Sequence, residues 1–193
     1  RGHPEYYQDL GCSIAKERGA YFINQFGNPD NPLAHEMATA PEIFEQLEGL
    51  VDAIVLGVGS SGTVSGINKY LQEHSPNTEI VIADPVGSIV ADFINNGEFG
   101  EGSSWLVEGI GEDFIPDIAD FTGATKAYSI SDAETFSTAR ELLKKEGLLA
   151  GSSSGTLLCA ALKYCREQTE QKHVVTFACD TGNKYLSKLF NDF

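Results

Sequence analysis

Val51-Asp-Ala-Ile-Val-Leu-Gly-Val-Gly-Ser-Ser-Gly-Thr63 begins as an apolar run, turns through three glycines and opens onto Val64, Ile67, Tyr70 and Leu71 at helical spacing. The run over 51–56 predicts a buried strand, and the spacing after it predicts an amphipathic helix. Between them, glycines let the backbone curl so that several N–H groups face one point, where the helix dipole adds its own attraction for an anion. Pro76 and Asn77 end the helix, and Ile80-Val-Ile-Ala83 predicts a second buried strand closed by Asp84 and Pro85. Strand, helix and strand in so short a span form a βαβ unit with parallel strands.

The alternation continues outward. Residues 127–130 predict a third strand, followed by a capping box of Ser131 and Glu134. The helix that follows, to Glu146, turns Phe136, Ala139, Leu142 and Leu143 inward. Leu148-Leu-Ala-Gly-Ser-Ser-Ser-Gly155 is a second small-residue loop entering a helix, with Leu157, Ala160, Ala161 and Tyr164 on its inner side. Residues 174–178 predict a last buried strand, and Tyr185, Leu186 and Leu189 a short closing helix. Upstream, the pattern predicts a helix over 4–18 carrying Tyr7, Leu10, Ile14 and Ala15, a short strand over 20–24, a turn-rich crossing over 27–32 and a helix over 41–47. Residues 87–111 read as loops and short turns. The sum is a three-layer α/β domain with a mostly parallel sheet.

A formal charge of −15 argues against nucleic acid or an anionic membrane surface as partner, since both require a basic patch. No apolar run approaches the roughly 18 residues of a membrane span. Cys12, Cys159, Cys165 and Cys179 lie apart in apolar segments, and His3, His35, His74 and His173 do not cluster. The pattern suits reduced core cysteines in a cytoplasmic protein and supports no metal site.

Gly57-x-Gly59-x-x-Gly62 matches the dinucleotide fingerprint, and Asp84 stands where an acid could hold a ribose. A nucleoside-triphosphate P-loop is excluded, because Thr63 occupies the position of the required lysine. The hydroxyls of Ser60, Ser61 and Thr63 suit a terminal phosphate monoester better than a bridging pyrophosphate, which benefits from bare backbone. Both loops are also compatible with tight turns whose serines cap the helices.

Taken together, the two loops, Val107-Glu-Gly-Ile-Gly-Glu-Asp-Phe-Ile-Pro116 and Asp180-Thr-Gly-Asn-Lys-Tyr-Leu-Ser-Lys-Leu-Phe-Asn-Asp192 closely resemble the cysteine synthase/cystathionine β-synthase family. Asn28-Pro-Asp-Asn-Pro-Leu-Ala-His35 and Asp84-Pro-Val-Gly-Ser88 extend the resemblance over nearly the whole chain. It implies the type II pyridoxal-phosphate-dependent fold, incomplete at the N-terminus: residues 1–34 end a smaller domain, and 35–193 form most of the large cofactor-binding one. It implies a homodimer and β-replacement on serine or O-acetylserine through an aminoacrylate, with homocysteine or sulfide as the second substrate. Gly59, Ser60, Ser61, Gly62 and Thr63 then correspond to the phosphate pocket of pyridoxal 5'-phosphate, and Ser153 to the partner of its ring nitrogen. Gly109 corresponds to the glycine whose backbone lies near the substrate, and Asp84 becomes a structural strand-end residue.

The residue types suit that chemistry. A serine gives the ring nitrogen a neutral hydrogen bond, where a carboxylate would favour the pyridinium and a stronger electron sink. The reaction also needs a Schiff-base lysine. None of the nine lysines sits in a motif similar to the family's, so the expectation is a C-terminal portion of a catalytic core, with no catalytic residue of its own and inactive alone. The lysine would come from a missing N-terminal segment of the same enzyme. Alternatively, the chain is a non-catalytic subunit that holds the cofactor only by its phosphate. Glu112, after Gly109-Ile-Gly111, places a carboxylate where it could hold the amino group of a second amino-acid substrate.

Overall fold

The computed structural model describes residues 6–191. Strand β1 (Ala53–Gly57) lies inside a four-stranded sheet ordered β3-β2-β1-β4, with β2 at Glu79–Pro85, β3 at Ala124–Ile130 and β4 at Val174–Val175. Every pairing in this sheet is parallel, and Ile54 stands beside Ile80 and Leu56 beside Ile82. Side chains alternate across a strand, so each face of β1 and β2 needs its own cover. Ile54, Leu56, Ile80 and Ile82 pack with Val64, Ile67 and Leu71 of α4 (Gly62–His74) and with Val90 and Ala91 of α5 (Val90–Asn96). Ala53, Val55, Val81 and Ala83 pack with Leu157, Ala160, Ala161 and Tyr164 of α7 (Ser152–Glu167). Helix α6 (Asp132–Glu146) lies against α7, and the Thr135 and Thr156 hydroxyls meet at 2.9 Å between them. This is the expected three-layer α/β arrangement.

The Ser131–Glu134 capping box is formed in both directions. Other elements differ from expectation for identifiable reasons. Residues 20–24 form no strand; Tyr21 and Ile23 are exposed, and Asn24 turns the chain at φ 49°. A strand needs a neighbour to pair with, and none of the described residues supplies one. Helix α1 (Tyr7–Arg18) carries the expected stripe, but Tyr7, Leu10 and Ile14 face outward and only Ala15 is buried; Pro4 and Glu5 of the expected helix lie outside the described residues. Within the stretch expected to be loop, α5 is helical and anchors Val90 and Ala91 in the core. The last strand shrinks to two half-buried residues because it is the sheet edge, paired on one side only. The closing helix is one 3-10 turn (Gly182–Tyr185), and Leu186 is exposed.

The largest departure positions the site. Residues 30–46 are one helical run made of α2 (Asp30–Ala34), a π turn (His35–Thr39) and α3 (Ala40–Gln46), so the chain is already helical at the expected crossing and passes residue 34 unbroken. Pro32 is tolerated because it sits in the first turn, where its missing N–H has no partner to lose. Pro41 sits deeper and cannot donate to the carbonyl of Met37. The turn before it is widened, with the Ala40 N–H donating to the His35 carbonyl, which relieves the ring's clash with the preceding turn. The run lies directly on α4 at Gly66, where an added Cβ would be 2.2 Å from the Pro32 carbonyl oxygen and 2.7 Å from the His35 Cβ.

Candidate functional site

Helices α4 and α7 cover opposite faces of the sheet, and both begin at one cavity of about 550 Å³ beside the end of β1. Gly59, Ser60, Ser61, Gly62, Thr63, Gly109 and Ser153 all line it. Two loops separated by some ninety positions in sequence are thereby brought to one space. Glu112 is the exception among the expected site residues.

The first loop is shaped for close approach. Ser61 adopts the left-handed conformation at φ 71° and caps α4 without a side-chain hydrogen bond, and the first backbone donor to find a helical acceptor is Ser65, to the Ser61 carbonyl. The N–H groups of Gly62, Thr63 and Val64 therefore have no acceptor within the helix. The Ser61 hydroxyl is buried and has no hydrogen-bond partner. Gly59 leaves no room for a side chain, since a Cβ would lie 2.7 Å from the Gly109 carbonyl oxygen. A buried turn of unspent donors at a helix N-terminus has one natural complement, an anion with several acceptor oxygens.

The second loop sorts its three serines. Ser152 Oγ accepts from the Glu108 N–H at 3.1 Å, and Ser154 Oγ accepts from the Cys179 N–H at 2.9 Å. These bonds tie the loop to two other segments of the cavity wall and leave Ser153 as the serine that faces the space. The segment after β4 is pinned to the same loop: the Gly151 N–H donates to the Asp180 carbonyl and the Gly182 N–H to the Leu149 carbonyl. Gly151 is required at this seam, where a Cβ would lie 2.0 Å from Asp180 Oδ1.

Cys179, Asp180 and Tyr185 complete this wall and were not singled out by sequence reasoning. The Tyr185 hydroxyl donates to Asp180 Oδ2 at 2.9 Å, and burial together with that carboxylate pushes the tyrosine up to about 12. Burial also raises the Cys179 thiol above its ordinary value, which keeps it protonated and a poor nucleophile. Among the described residues, no lysine lines the cavity. Lys188 reaches Glu108 at 3.0 Å and Lys184 approaches Asp180 at 3.8 Å, both from its exterior.

Glu112 lies on an adjoining cavity of about 420 Å³, with Tyr6, Gln25, Phe26 and Trp105; this space shares Gly59, Ser60, Gly109 and Ile110 with the first. Its backbone is held by Ser88 and Ile89: the Glu112 N–H donates to Ser88 Oγ at 3.0 Å, and its carbonyl accepts from the Ile89 N–H. Asp84 is away from both cavities. It is fully buried at the end of β2, where Oδ2 accepts from the Ala91 N–H at 2.8 Å, and burial pushes its carboxyl up to about 6. A buried carboxyl spent on the first turn of α5 has no reach to a ribose.

His35 and Thr39 also line the cavity. Asn31 stands one turn before His35, its Nδ2 donating to Ser60 Oγ at 3.0 Å. The sequence signal for this pair was present, because Asn31 and His35 are four residues apart, but it becomes legible only once residues 30–39 are read as helix.

A family model described as pyridoxal-phosphate dependent enzyme matches residues 2–180. The chain is 41% identical over 194 residues to a cystathionine β-synthase of Apis mellifera, covering 98% of this chain and 38% of the relative. It is 43% identical over 169 residues to a cysteine synthase of Helicobacter pylori, covering 88% of this chain and 53% of the relative. Its fold superposes on the crystal structure of an O-acetylserine-dependent cystathionine β-synthase from Helicobacter pylori with a TM-score of 0.84 and 39% identity, over 93% of this chain and 57% of the other. The chain thus spans between about two fifths and a little over half of the length of these relatives.

Proposed function

The chain belongs to the pyridoxal-phosphate-dependent enzymes, in the cystathionine β-synthase and cysteine synthase group, and on that premise we propose that it forms the phosphate-holding part of an enzyme that condenses serine or an activated serine with homocysteine to give cystathionine. The observation that carries this reading is the single cavity uniting an uncapped helix N-terminus, the orphaned Ser61 hydroxyl and Ser153 on the opposite loop. The residues present fit the cofactor: one end of the donor set suits a phosphate monoester, and Ser153 offers a neutral partner for a ring nitrogen. When bound, pyridoxal phosphate supplies the electron-withdrawing ring that makes the Cα proton and the β-substituent of an amino acid labile.

The chain's own groups have distinct roles under this proposal. Gly59, Ser60, Ser61, Gly62 and Thr63 bind the phosphate through backbone N–H groups and hydroxyls. Ser153 hydrogen-bonds the ring nitrogen without transferring charge to it. Gly109, at φ 86°, brings its backbone to the substrate side of the cavity with no side chain in the way. Glu112, one cavity further out, holds the ammonium group of homocysteine. The lysine that anchors the cofactor comes from an N-terminal segment of the same protein, and the exposed stripe of Tyr7, Leu10 and Ile14 with Tyr21 and Ile23 supports such a segment packing there. Residues 1–34 would then close the smaller domain and 35–193 make up most of the larger one. The four free cysteines suit a cytoplasmic enzyme, and the homodimer follows from the family resemblance.

Borohydride reduction of the protein loaded with pyridoxal phosphate, followed by peptide mapping, tests the assignment. The expected label lies on a lysine outside residues 1–193. Reversible binding with no label would instead mean a non-catalytic subunit, and absence of binding would sink the reading altogether.

Homocysteine and sulfide as second substrates are separated by Glu112. The expected result for Glu112→Gln is a KM for homocysteine raised about fivefold, the worth of one solvent-screened ion pair, with the rate on sulfide unchanged. Equal losses on both thiols would remove Glu112 from the recognition of homocysteine.

A further inference from the structure

The helical run behind the cradle does more than pack. Asn31 and His35 lie one turn apart, and each reaches a different hydroxyl of the phosphate loop. Asn31 Nδ2 donates to Ser60 Oγ at 3.0 Å and to the Gln25 carbonyl at 2.8 Å. His35 Nε2 lies 3.2 Å from Thr63 Oγ1, and its Nδ1 lies 2.9 Å from Thr39 Oγ1. The Ser60 oxygen therefore already accepts one hydrogen bond, and its own proton is left to point elsewhere. The same follows for Thr63 if the histidine donates through Nε2.

The surroundings favour that direction. Thr39 carries a hydroxyl proton that can be given to Nδ1, which leaves the ring hydrogen on Nε2 and aims it at Thr63. His35 is half-buried, and burial lowers its pKa, so the ring is neutral and carries a single proton to place. The widened π turn sets Thr39 beside the ring, and Gly66 on α4 lets the ring backbone approach close enough to reach Thr63, three residues earlier on the same helix. Both hydroxyls, Ser60 and Thr63, line the cavity together with the orphaned Ser61 hydroxyl.

We infer that Asn31 and His35 are positioning residues of the anion site, which orient the hydroxyl protons of Ser60 and Thr63 into the cavity before a phosphate arrives. A hydroxyl is both donor and acceptor, and a free one in this turn would spend part of its time presenting lone pairs to an incoming dianion. Occupying the oxygen from behind removes that alternative. The relay runs Thr39 O–H to Nδ1, Nε2–H to Thr63 Oγ1, and Thr63 O–H to the anion, so that every link is a donor facing the cavity. The two relays arise from one helix, which explains why the Asn31-to-His35 spacing is a single turn. This inference rests on the cavity being the cofactor's phosphate site.

The test compares pyridoxal phosphate with pyridoxal, which lacks the phosphate, as ligands of the intact protein and of three variants. His35→Phe keeps the bulk and removes the donor, and Asn31→Leu keeps the approximate shape and removes the donor to Ser60 without adding charge. His35→Gln returns a side-chain N–H. The expected result is a Kd for pyridoxal phosphate raised about tenfold in His35→Phe and in Asn31→Leu, as for loss of one hydrogen bond from an oriented hydroxyl to the charged phosphate. Pyridoxal affinity stays unchanged in both, and His35→Gln recovers most of the loss. In the unmutated protein, nitrogen-15 spectra of His35 should show the neutral ring protonated on Nε2.

A ring protonated on Nδ1 would overturn the relay. Equal weakening for pyridoxal and its phosphate would reduce His35 to a packing role, and unchanged affinities in His35→Phe and Asn31→Leu would remove both residues from the site. If the unmutated protein itself bound the two ligands equally, the phosphate assignment would fall first, and the inference with it.

Discussion

Gly66→Ala is expected to destabilise the fold by about 3 kcal/mol, the upper range for forcing one methyl group into a closed contact. For a domain of this size that lowers the melting temperature by about 6–12 °C. The added Cβ would meet the Pro32 carbonyl oxygen at 2.2 Å, the His35 Cβ at 2.7 Å and the Glu36 nitrogen at 2.9 Å. Two of the three are backbone atoms of the facing helix, so no rotamer change relieves the clash and the helical run must move off α4. Separation of the two helices also withdraws His35 from Thr63, so affinity for pyridoxal phosphate should fall together with stability. Gly102→Ala is the control. Its Cβ would find its nearest neighbour, Ile89 Cγ2, at an ordinary 3.7 Å, and φ at this position is not positive. Thermal denaturation of the two variants side by side decides the matter: equal melting temperatures would refute the close helix contact.

Asp84→Asn is expected to alter the pH dependence of stability by about 3 kcal/mol between pH 4 and pH 7. The carboxyl is fully buried, with Oδ2 held by the Ala91 N–H and Oδ1 without a partner. Burial raises its pKa from an ordinary 3.8 to about 6, and the hydrogen bonds from Ala91 and Ser88 offset only part of that rise. A group whose pKa is raised on folding binds its proton more tightly in the native state. Its contribution is therefore complete below pH 4 and is lost as pH rises through about 6, and a displacement of that size corresponds to about 3 kcal/mol. Asparagine keeps an acceptor for the Ala91 N–H and has no proton to lose. Urea denaturation of both proteins across this range should show the variant gaining on the parent steadily as pH rises. Parallel curves would mean that Asp84 ionises as freely in the folded protein as in the unfolded chain.

Both predictions concern residues whose importance local sequence does not reveal. Gly66 sits inside a helical pattern, where a glycine only weakens the local preference. Asp84 follows a buried strand at the distance where a dinucleotide site would place its ribose acid, and the pattern alone left that role open. Its burial at the start of α5 removes the ambiguity, since the carboxyl is occupied by a backbone donor seven residues on.

Other parts were legible directly. The apolar runs that became β1 and β2 are buried on both faces, and an unbroken run of aliphatic residues has few other places to go. The glycine-rich turn and the helix after it form because their conformations are chosen by neighbours in the chain, as is the Ser131–Glu134 capping box. Failures among the strands fell where a neighbour distant in sequence was needed. The expected strand over 20–24 has no partner strand among the described residues, and the last strand lost most of its length at the sheet edge.

By itself, then, the sequence determined the parallel α/β layering, the two loops at helix starts and the family to which they belong, because backbone curl and side-chain periodicity are local properties. Tertiary structure decided which hydroxyls in those loops are available. Ser152 and Ser154 are consumed by backbone N–H groups 44 and 25 positions away, leaving Ser153 to the cavity. Ser60 and Thr63 are held from behind by Asn31 and His35, 29 and 28 positions earlier. A hydroxyl can turn either way at almost no cost. Its direction is set by whatever lies across from it, which is a matter of packing between segments and not of the order of residues within one.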